Sequence, residues 1–390
     1  MASFIPLSVP NFQGNEKEYV NEAVVSEWVS TGGSKVGDFE NAIAHYVGMP
    51  RAVACNSGSS GLHLAAMVAG LGKGDEVLVP TLTFIAAVNP TTRYVGAEPV
   101  FIGCDDSLCM DPAAAERFCA ERCELQGERL IDKATGAHVK AIVVVHVFGN
   151  MADMPAFLAL AEKYHLILIE DATEALGTHY TEGPLKGKFA GTIGDVGVYS
   201  FNGNKIITTG AGGMVVSNHP DWAEHAKHLS TQAKADELQF LHDEVGYNYR
   251  MTNLQAALGL AQIEELEGFI AHKHAMWQMY KDALDGKNGY RILDFDENGV
   301  RPNKWFYSLY LEDDRHDRDS LIAALQKEKI QTRPVWALIH EQADYPGSQA
   351  YGLEKAEEYR KRIVNLPCST SLTEEDAQRV VDVLLELSQG

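Results

Sequence analysis

The feature that most constrains the fold is a nearly continuous apolar run, KAIVVVHVF, from Lys140 to Phe148. A strand that is apolar on both faces is typical of a parallel sheet covered by helices on each side. Similar short runs recur along the first two thirds of the chain: Arg51–Cys55, Glu76–Pro80, Pro99–Ile102, Leu166–Glu170, Gly197–Phe201 and Met214–Ser217. Helix-like segments separate most of them, which predicts an α/β fold with a large, mostly parallel sheet between helices.

The pattern changes near Met251, where a long helical stretch begins. It is followed by the strand-like KWFYSLYLE, a further helix and a closing helix from Thr373 to Leu387. We therefore predict a large α/β domain over residues 1–258 and a smaller α+β domain over residues 259–390.

The charge balance limits the classes of partner. A formal net charge of -21 and the absence of a basic stripe argue against a nucleic-acid surface, although a local pocket can still hold a small anion.

The six cysteines include no CxxC pair, so we expect reduced thiols and no metal. No apolar run has the length of a membrane span, and the N-terminus does not resemble a signal peptide, so we expect a cytoplasmic protein that does not enter a membrane.

Lys205 lies in the stretch DVGVYSFNGNKIITTGAGG, between apolar residues that indicate a buried position. A buried lysine loses proton affinity and becomes a usable amine, which is how enzymes hold pyridoxal phosphate (PLP) as a Schiff base. The alternative is a lysine at a strand end whose amine simply reaches water.

PLP also needs an anion for its ring nitrogen, a cradle for its phosphate and a flat partner for its ring. Asp171, after the run LILIE, is the candidate anion, although a helix cap would use the same residue. The turn Ser57–Ser60 opens a helix and is the candidate cradle, with Ser200 as a further hydroxyl. Phe84 is the candidate ring partner, with a plain core aromatic as the alternative.

The motifs together resemble the DegT/DnrJ/EryC1/StrS family of PLP-dependent sugar aminotransferases. In chain order they are WVSTGGSKVGDFENAIAHYVG, CNSGSSGLHLA, PTLTFIAA, IEDATEALG, YSFNGNKIITTGAGGM, GYNYRMTNLQAALG and RPVWALIHEQADYP. The resemblance covers nearly the whole chain and implies the fold-type I architecture of aspartate aminotransferase.

Carried over to this sequence, the resemblance implies a role for each matching position. Lys205 would be the Schiff-base lysine and proton carrier, and Asp171 the partner of the pyridine nitrogen. Phe84 would stack on the ring, while Gly58, Ser59 and Ser200 would hold the phosphate. Glu174 stands where many relatives have Gln or His, which leaves its role near the PLP hydroxyl open. Asn248 would reach the phosphate of a neighbouring subunit, which implies a homodimer with shared active sites.

The resemblance is strongest to the branch that feeds bacillosamine and legionaminic acid synthesis. It implies transfer of an amino group from L-glutamate to the C4 ketone of a UDP- or GDP-linked 4-keto-6-deoxy-N-acetylhexosamine. Arg250 and Arg333 are candidates for binding the glutamate carboxylate or the sugar diphosphate, and His340 for touching the sugar or nucleotide. All three are equally explained as surface or helix-end residues.

Two other classes remain open from the sequence. A PLP-dependent sugar dehydratase or lyase would use the same fold, but some relatives of that kind have histidine in place of the lysine, and Lys205 is present here. A non-catalytic, regulatory relative is the second, and the set Lys205, Asp171 and Phe84 argues against it. A nicotinamide oxidoreductase is disfavoured because Gly191, Gly194 and Gly197 do not form GxGxxG.

Overall fold

A computed structural model of the protein describes residues 3–295, 299–315 and 317–388. Its helices are α1 (Glu16–Val25), α2 (Ser34–Val47), α3 (Gly58–Val68), α4 (Pro112–Arg122), α5 (Met154–Tyr164), α6 (Pro220–Ser230), α7 (Asn253–Leu284), α8 (Arg318–Lys327), α9 (Glu354–Arg362) and α10 (Glu374–Leu387). None of these helices has both the length and the apolar character needed to cross a membrane.

The strands are β1 (Ala52–Cys55), β2 (Asp75–Pro80), β3 (Glu98–Ile102), β4 (Cys123–Gln126), β5 (Arg129–Asp132), β6 (His138–Val145), β7 (Ile167–Asp171), β8 (His179–Tyr180), β9 (Val196–Ser200), β10 (Gly213–Ser217), β11 (Lys234–Asp236), β12 (Leu241–His242), β13 (Tyr290–Ile292), β14 (Val300–Arg301), β15 (Tyr307–Leu311), β16 (Arg333–Pro334), β17 (Gln349–Tyr351) and β18 (Ile363–Leu366).

The large sheet has the order β1-β10-β9-β7-β6-β2-β3-β17. From β9 to β17 neighbouring strands are parallel, whereas β10 runs antiparallel to both β1 and β9. The hairpin β4-β5 extends the sheet through an antiparallel pairing with β6. The expected mostly parallel sheet is therefore confirmed.

Buried side chains explain the stability of this sheet. Ile142, Val143 and Val144 of β6 are all 0% exposed, as the apolar run predicts for a strand covered on both faces. Helix α3 packs against β9 and β10, and α5 packs against β7. Because parallel strands end at one edge, this packing places the residues after β2, β6, β7 and β9 next to one another.

A smaller antiparallel sheet has the order β13-β15-β18-β16 and forms a second core with α10 and the C-terminal half of α7. Helix α7 begins with a capping box, in which Thr252 accepts from the N–H of Gln255 and the Gln255 side chain bonds back to the N–H of Thr252. This cap fixes where the chain leaves the large sheet.

The chain passes between the two cores more than once. Strand β17 lies in the C-terminal part of the sequence yet pairs with β3 of the large sheet. Ile5, near the N-terminus, forms a bridge with Ile330 and packs in the smaller core. The boundary between residues 258 and 259 falls inside α7 and remains a prediction.

Candidate active site

A cavity of about 380 Å³ lies beyond the carboxyl ends of the parallel strands. Seven of the residues singled out from the sequence line it: Gly58, Ser59, Phe84, Asp171, Glu174, Ser200 and Lys205. They come from four separate segments of the chain, so the fold brings together what the motifs only placed in order.

Asp171 is the last residue of β7 and is 3% exposed. Its Oδ1 accepts a hydrogen bond of 3.0 Å from the N–H of Thr173. Burial raises the pKa of the Asp171 carboxyl, while the hydrogen bonds from Thr173 and the nearby positive charge of Lys205 oppose that rise. A carboxylate in this position is suited to hold a protonated ring nitrogen.

A buried network fixes the strand end that carries Asp171. The backbone N–H of His146 donates to the Asp171 carbonyl at 3.1 Å. The His146 ring bonds the Glu170 carboxylate at 2.8 Å, and Glu170 also accepts N–H bonds from Gly191, Ile193 and Gly194. Because Glu170 precedes Asp171 on the strand, these bonds hold the adjacent backbone rigid.

Lys205 lies in the turn after β9, and only 12% of its side chain is exposed. Its Nζ is 3.4 Å from Oε1 of Glu174 and 4.0 Å from the centroid of the Trp305 ring. The expected burial is therefore present, and the amine faces the cavity rather than open water.

Glu174 is held from two sides. Its Oε2 accepts a 2.8 Å hydrogen bond from the N–H of Phe148, whose φ of 58° is unusual for a residue with a large side chain. Burial raises the pKa of Glu174, and the Lys205 charge opposes the rise. The left-handed turn at Phe148 is what directs this N–H toward the carboxylate.

The N-terminus of α3 forms the candidate phosphate cradle. Ser57 is the N-cap and accepts from the N–H of Ser60 at 3.0 Å. The N–H groups of Gly58 and Ser59 belong to the first helical turn, where no intrahelical acceptor exists, and the helix dipole favours an anion there. A β-carbon at position 58 would come within 2.8 Å of Ser200 Cβ, so glycine lets the helix end and Ser200 approach one another.

These residues fit PLP. The cavity offers a buried amine, a buried carboxylate, an anion-binding helix end and the half-exposed ring of Phe84 at its mouth. Each of the four requirements of the cofactor is thus met by a side chain or backbone group that borders one cavity.

Four of the residues singled out from the sequence do not line the cavity of their own chain. Asn248 is exposed, and Arg250 donates to its Oδ1 at 3.3 Å. Arg333 is exposed and donates to the Thr332 carbonyl at 3.1 Å. His340 bonds the Thr81 hydroxyl at 2.6 Å, and burial lowers its pKa. Their roles stay predictions.

The sequence reasoning missed part of the cavity wall. Trp305, Phe306 and Trp336 all line it and come from the C-terminal part of the chain. Trp336 packs on Phe148, with ring centroids 4.7 Å apart. The clustering of aromatics in KWFY is the available signal, although the pattern by itself indicates only a strand.

Comparison with known proteins identifies the family of this chain. The family model described as the DegT/DnrJ/EryC1/StrS aminotransferase family matches residues 10–385. EpsN of Bacillus subtilis, provisionally assigned as a pyridoxal phosphate-dependent aminotransferase, is 37% identical over 388 residues, covering 98% of this chain and 95% of EpsN. The GDP-perosamine synthase of Escherichia coli O157:H7 is 37% identical over 384 residues, covering 98% of each protein.

Among solved structures, a DegT DnrJ EryC1 StrS aminotransferase from Brucella abortus superposes with a TM-score of 0.86 at 28% identity and covers 96% of each chain. This confirms the expected fold-type I architecture. The chain belongs to the DegT/DnrJ/EryC1/StrS aminotransferase family and is a PLP-dependent sugar aminotransferase.

Proposed function

We propose that the protein transfers the amino group of L-glutamate to the C4 ketone of a nucleotide-linked 4-keto-6-deoxy-N-acetylhexosamine in the cytoplasm, as in bacillosamine and legionaminic acid synthesis. The observation that carries the proposal is the meeting of Lys205, Asp171 and the N-terminus of α3 in one cavity. PLP bound there supplies an electron sink that makes a proton on the reacting carbon removable.

The chain's own residues then divide the work. Lys205 takes a proton from the amino donor and returns one to the acceptor, because its amine borders the cavity. Asp171 stabilises positive charge at the ring nitrogen, and Gly58 and Ser59 hold the phosphate through their N–H groups. Trp305, Phe306 and Trp336 form an apolar wall that limits the access of water.

The acceptor class rests on two supports of different kinds. The GDP-perosamine synthases are similar over nearly the whole chain, and their name gives a GDP-linked sugar amine as the product. The motifs SFNGNKIITTGAGGM and QTRPVWALIHEQ, together with the insertion that contains CDDSLCMDP, resemble the branch that acts on N-acetylated sugars. Both lines of support agree with a nucleotide-linked keto sugar as the acceptor. Only the motif resemblance supports the N-acetyl group.

The test has two stages. The PLP-loaded protein, mixed with L-glutamate alone, should form 2-oxoglutarate and pyridoxamine phosphate in equal amounts. The pyridoxamine form is then offered a UDP-linked 4-keto-6-deoxy-N-acetylhexosamine or a GDP-linked 4-keto-6-deoxyhexose, and the amino sugar is quantified by mass spectrometry. Lys205→Ala is the matched control and should complete neither stage.

Each result has a definite meaning. A higher kcat/KM with the N-acetylated sugar supports the proposal as stated. A preference for the GDP-linked sugar contradicts the N-acetyl assignment, and failure of both sugars contradicts the acceptor class. A PLP-loaded protein that ignores glutamate but eliminates water from the keto sugar would instead be a dehydratase.

A further inference from the structure

The amine of Lys205 has two neighbours that lie far apart in the sequence. One is the carboxylate of Glu174, at 3.4 Å, and the other is the ring of Trp305, whose centroid is 4.0 Å from Nζ. An ammonium group over the face of an indole ring is attracted by the negative charge of that face. Both neighbours therefore hold the amine at this one location.

Trp305 cannot easily turn away from Lys205. Its Nε1–H donates to the carbonyl of Asn204 at 2.8 Å, and its backbone N–H donates to Oδ1 of Asn303 at 2.9 Å. The ring of Phe306 stacks on it, with centroids 4.0 Å apart and planes inclined by 11°. The indole is 3% exposed, so its position is fixed before any ligand binds.

Asn303 connects the two neighbours of Lys205. Its side-chain amide donates to the carbonyl oxygens of Glu174 and Leu176, each at 2.9 Å, while its Oδ1 accepts from Trp305. Asn303 is 0% exposed, and both the NH₂ group and the oxygen of its side-chain amide are hydrogen-bonded. One buried residue thus sets the separation between the carboxylate and the ring.

We propose that Glu174 and Trp305 together hold the Lys205 amine when it is not bonded to the cofactor, binding it as an ammonium group in the cofactor-free protein and again after it has taken the proton of the amino donor, which makes Trp305 a positioning residue for Lys205. The inference rests on the proposed role of Lys205. When the substrate amine replaces Lys205, the released side chain must stay within reach of the reacting carbon. A fixed ring face and a fixed carboxylate hold it there without forming a covalent bond.

The direct test is a double-mutant cycle on the full-length protein without cofactor. The unfolding equilibrium is measured in urea for the parent, Trp305→Leu, Lys205→Met and the double variant. We expect the two substitutions to be coupled. The unfolding equilibrium constant of the double variant should be roughly 2- to 30-fold smaller than the value that additive effects of the two single substitutions predict. Additive effects would overturn the proposal.

Phe306→Leu is the matched control in that cycle. Phe306 lines the same cavity and stacks on Trp305, but no contact between its ring and the Lys205 amine is observed in the described part of the chain. Its combination with Lys205→Met should show much weaker coupling than Trp305→Leu does, because its ring reaches the amine only through Trp305. If Trp305→Leu does not fold, Trp305→Phe keeps a ring for the amine and should retain part of the coupling.

A second readout separates this inference from the proposed function. In single turnovers with L-glutamate, Trp305→Leu should slow the reaction by about 3- to 30-fold at an unchanged PLP dissociation constant, and Trp305→Phe should recover most of the rate. Coupling without any glutamate turnover in the parent would contradict the function but not the contact. Turnover in the parent without coupling would contradict the inference alone.

Discussion

Gly58 and Ser200 approach so closely that a β-carbon at position 58 would lie 2.8 Å from the β-carbon of Ser200. The same atom would lie 3.2 Å from Cγ2 of Thr173. The contact joins the first turn of α3 to the end of β9, and Lys205 lies in the turn that follows this strand. Glycine at position 58 thus sets the distance between the candidate phosphate cradle and the candidate Schiff-base lysine.

Gly58→Ala should therefore weaken PLP binding by about tenfold or more, because the added methyl group separates the helix end from Ser200. Alanine is the better helix former, so intrinsic helix propensity alone would predict no loss. Absorbance titration of the cofactor-free protein with PLP measures the effect. Gly37→Ala in α2 is the control, since its methyl group would meet nothing within 4 Å and should leave PLP affinity unchanged.

Asp171→Asn should leave the fold intact but lower the rate of the glutamate half-reaction by roughly 10³-fold, because a neutral amide cannot keep the ring nitrogen protonated. Stopped-flow absorbance with L-glutamate measures that rate. Asp195→Asn serves as the control, because Asp195 lies at the opposite end of the strands from the cavity. Its carboxylate accepts a 2.8 Å hydrogen bond from the backbone N–H of Leu168. A normal rate in Asp171→Asn would contradict the assignment of this residue.

The buried carboxyl group of Glu76 should make the free energy of unfolding depend on pH. Glu76 is 3% exposed, its Oε1 accepts from the Thr135 hydroxyl at 2.8 Å, and no partner for its Oε2 is found in the described residues. Burial, together with the nearby charge of Asp132, raises its pKa from 4.5 to about 7. Because the folded state binds the proton more tightly, this contribution to stability is complete below pH 4.5 and is lost as the pH rises toward 7.

The free energy of unfolding should therefore fall between pH 5 and pH 8 by about 2 to 3 kcal/mol more in the parent than in Glu76→Gln. Urea unfolding at the two pH values gives this difference directly. Glu124→Gln, at an exposed position on β4, should behave like the parent. Equal pH dependence in the parent and Glu76→Gln would show that the Glu76 carboxyl does not titrate in this window.

Shared active sites can be tested by mixing inactive variants. Asn248 lies outside the cavity of its own chain, so we expect Lys205→Ala and Asn248→Ala subunits to complement one another after exchange. A mixed dimer would contain one site with both residues intact, and random exchange would restore about a quarter of the parent activity. Lys205→Ala mixed with Asp171→Asn is the control, because each of these changes disables the site of its own chain.

The parts of the fold that local patterns encode were predictable. The run LILIE predicted a strand over Leu166–Glu170, and β7 covers Ile167–Asp171. The run ending at Phe148 gave β6, but the strand stops at Val145 because Phe148 turns into the left-handed region to meet Glu174. A tertiary hydrogen bond of this kind leaves no periodic signal in the sequence.

The rest of the site depends on pairings between distant residues. Strand β17 joins the large sheet from the C-terminal part of the chain, and Trp305 reaches Lys205 across an interval of one hundred positions. Motif resemblance placed Lys205, Asp171 and Glu174 in order along the chain. It could not show that Asn303 holds Glu174 and Trp305 together, because that arrangement follows only from the folded backbone.

The central claim is that Lys205 is the amine that holds PLP. Borohydride reduction of the PLP-loaded protein, followed by peptide mass mapping, tests it most directly, with a parallel sample treated first with L-glutamate. We predict that the reduced cofactor is attached to Lys205 in the untreated sample and that glutamate abolishes this labelling. Attachment to another lysine, or no attachment at all, would contradict the account.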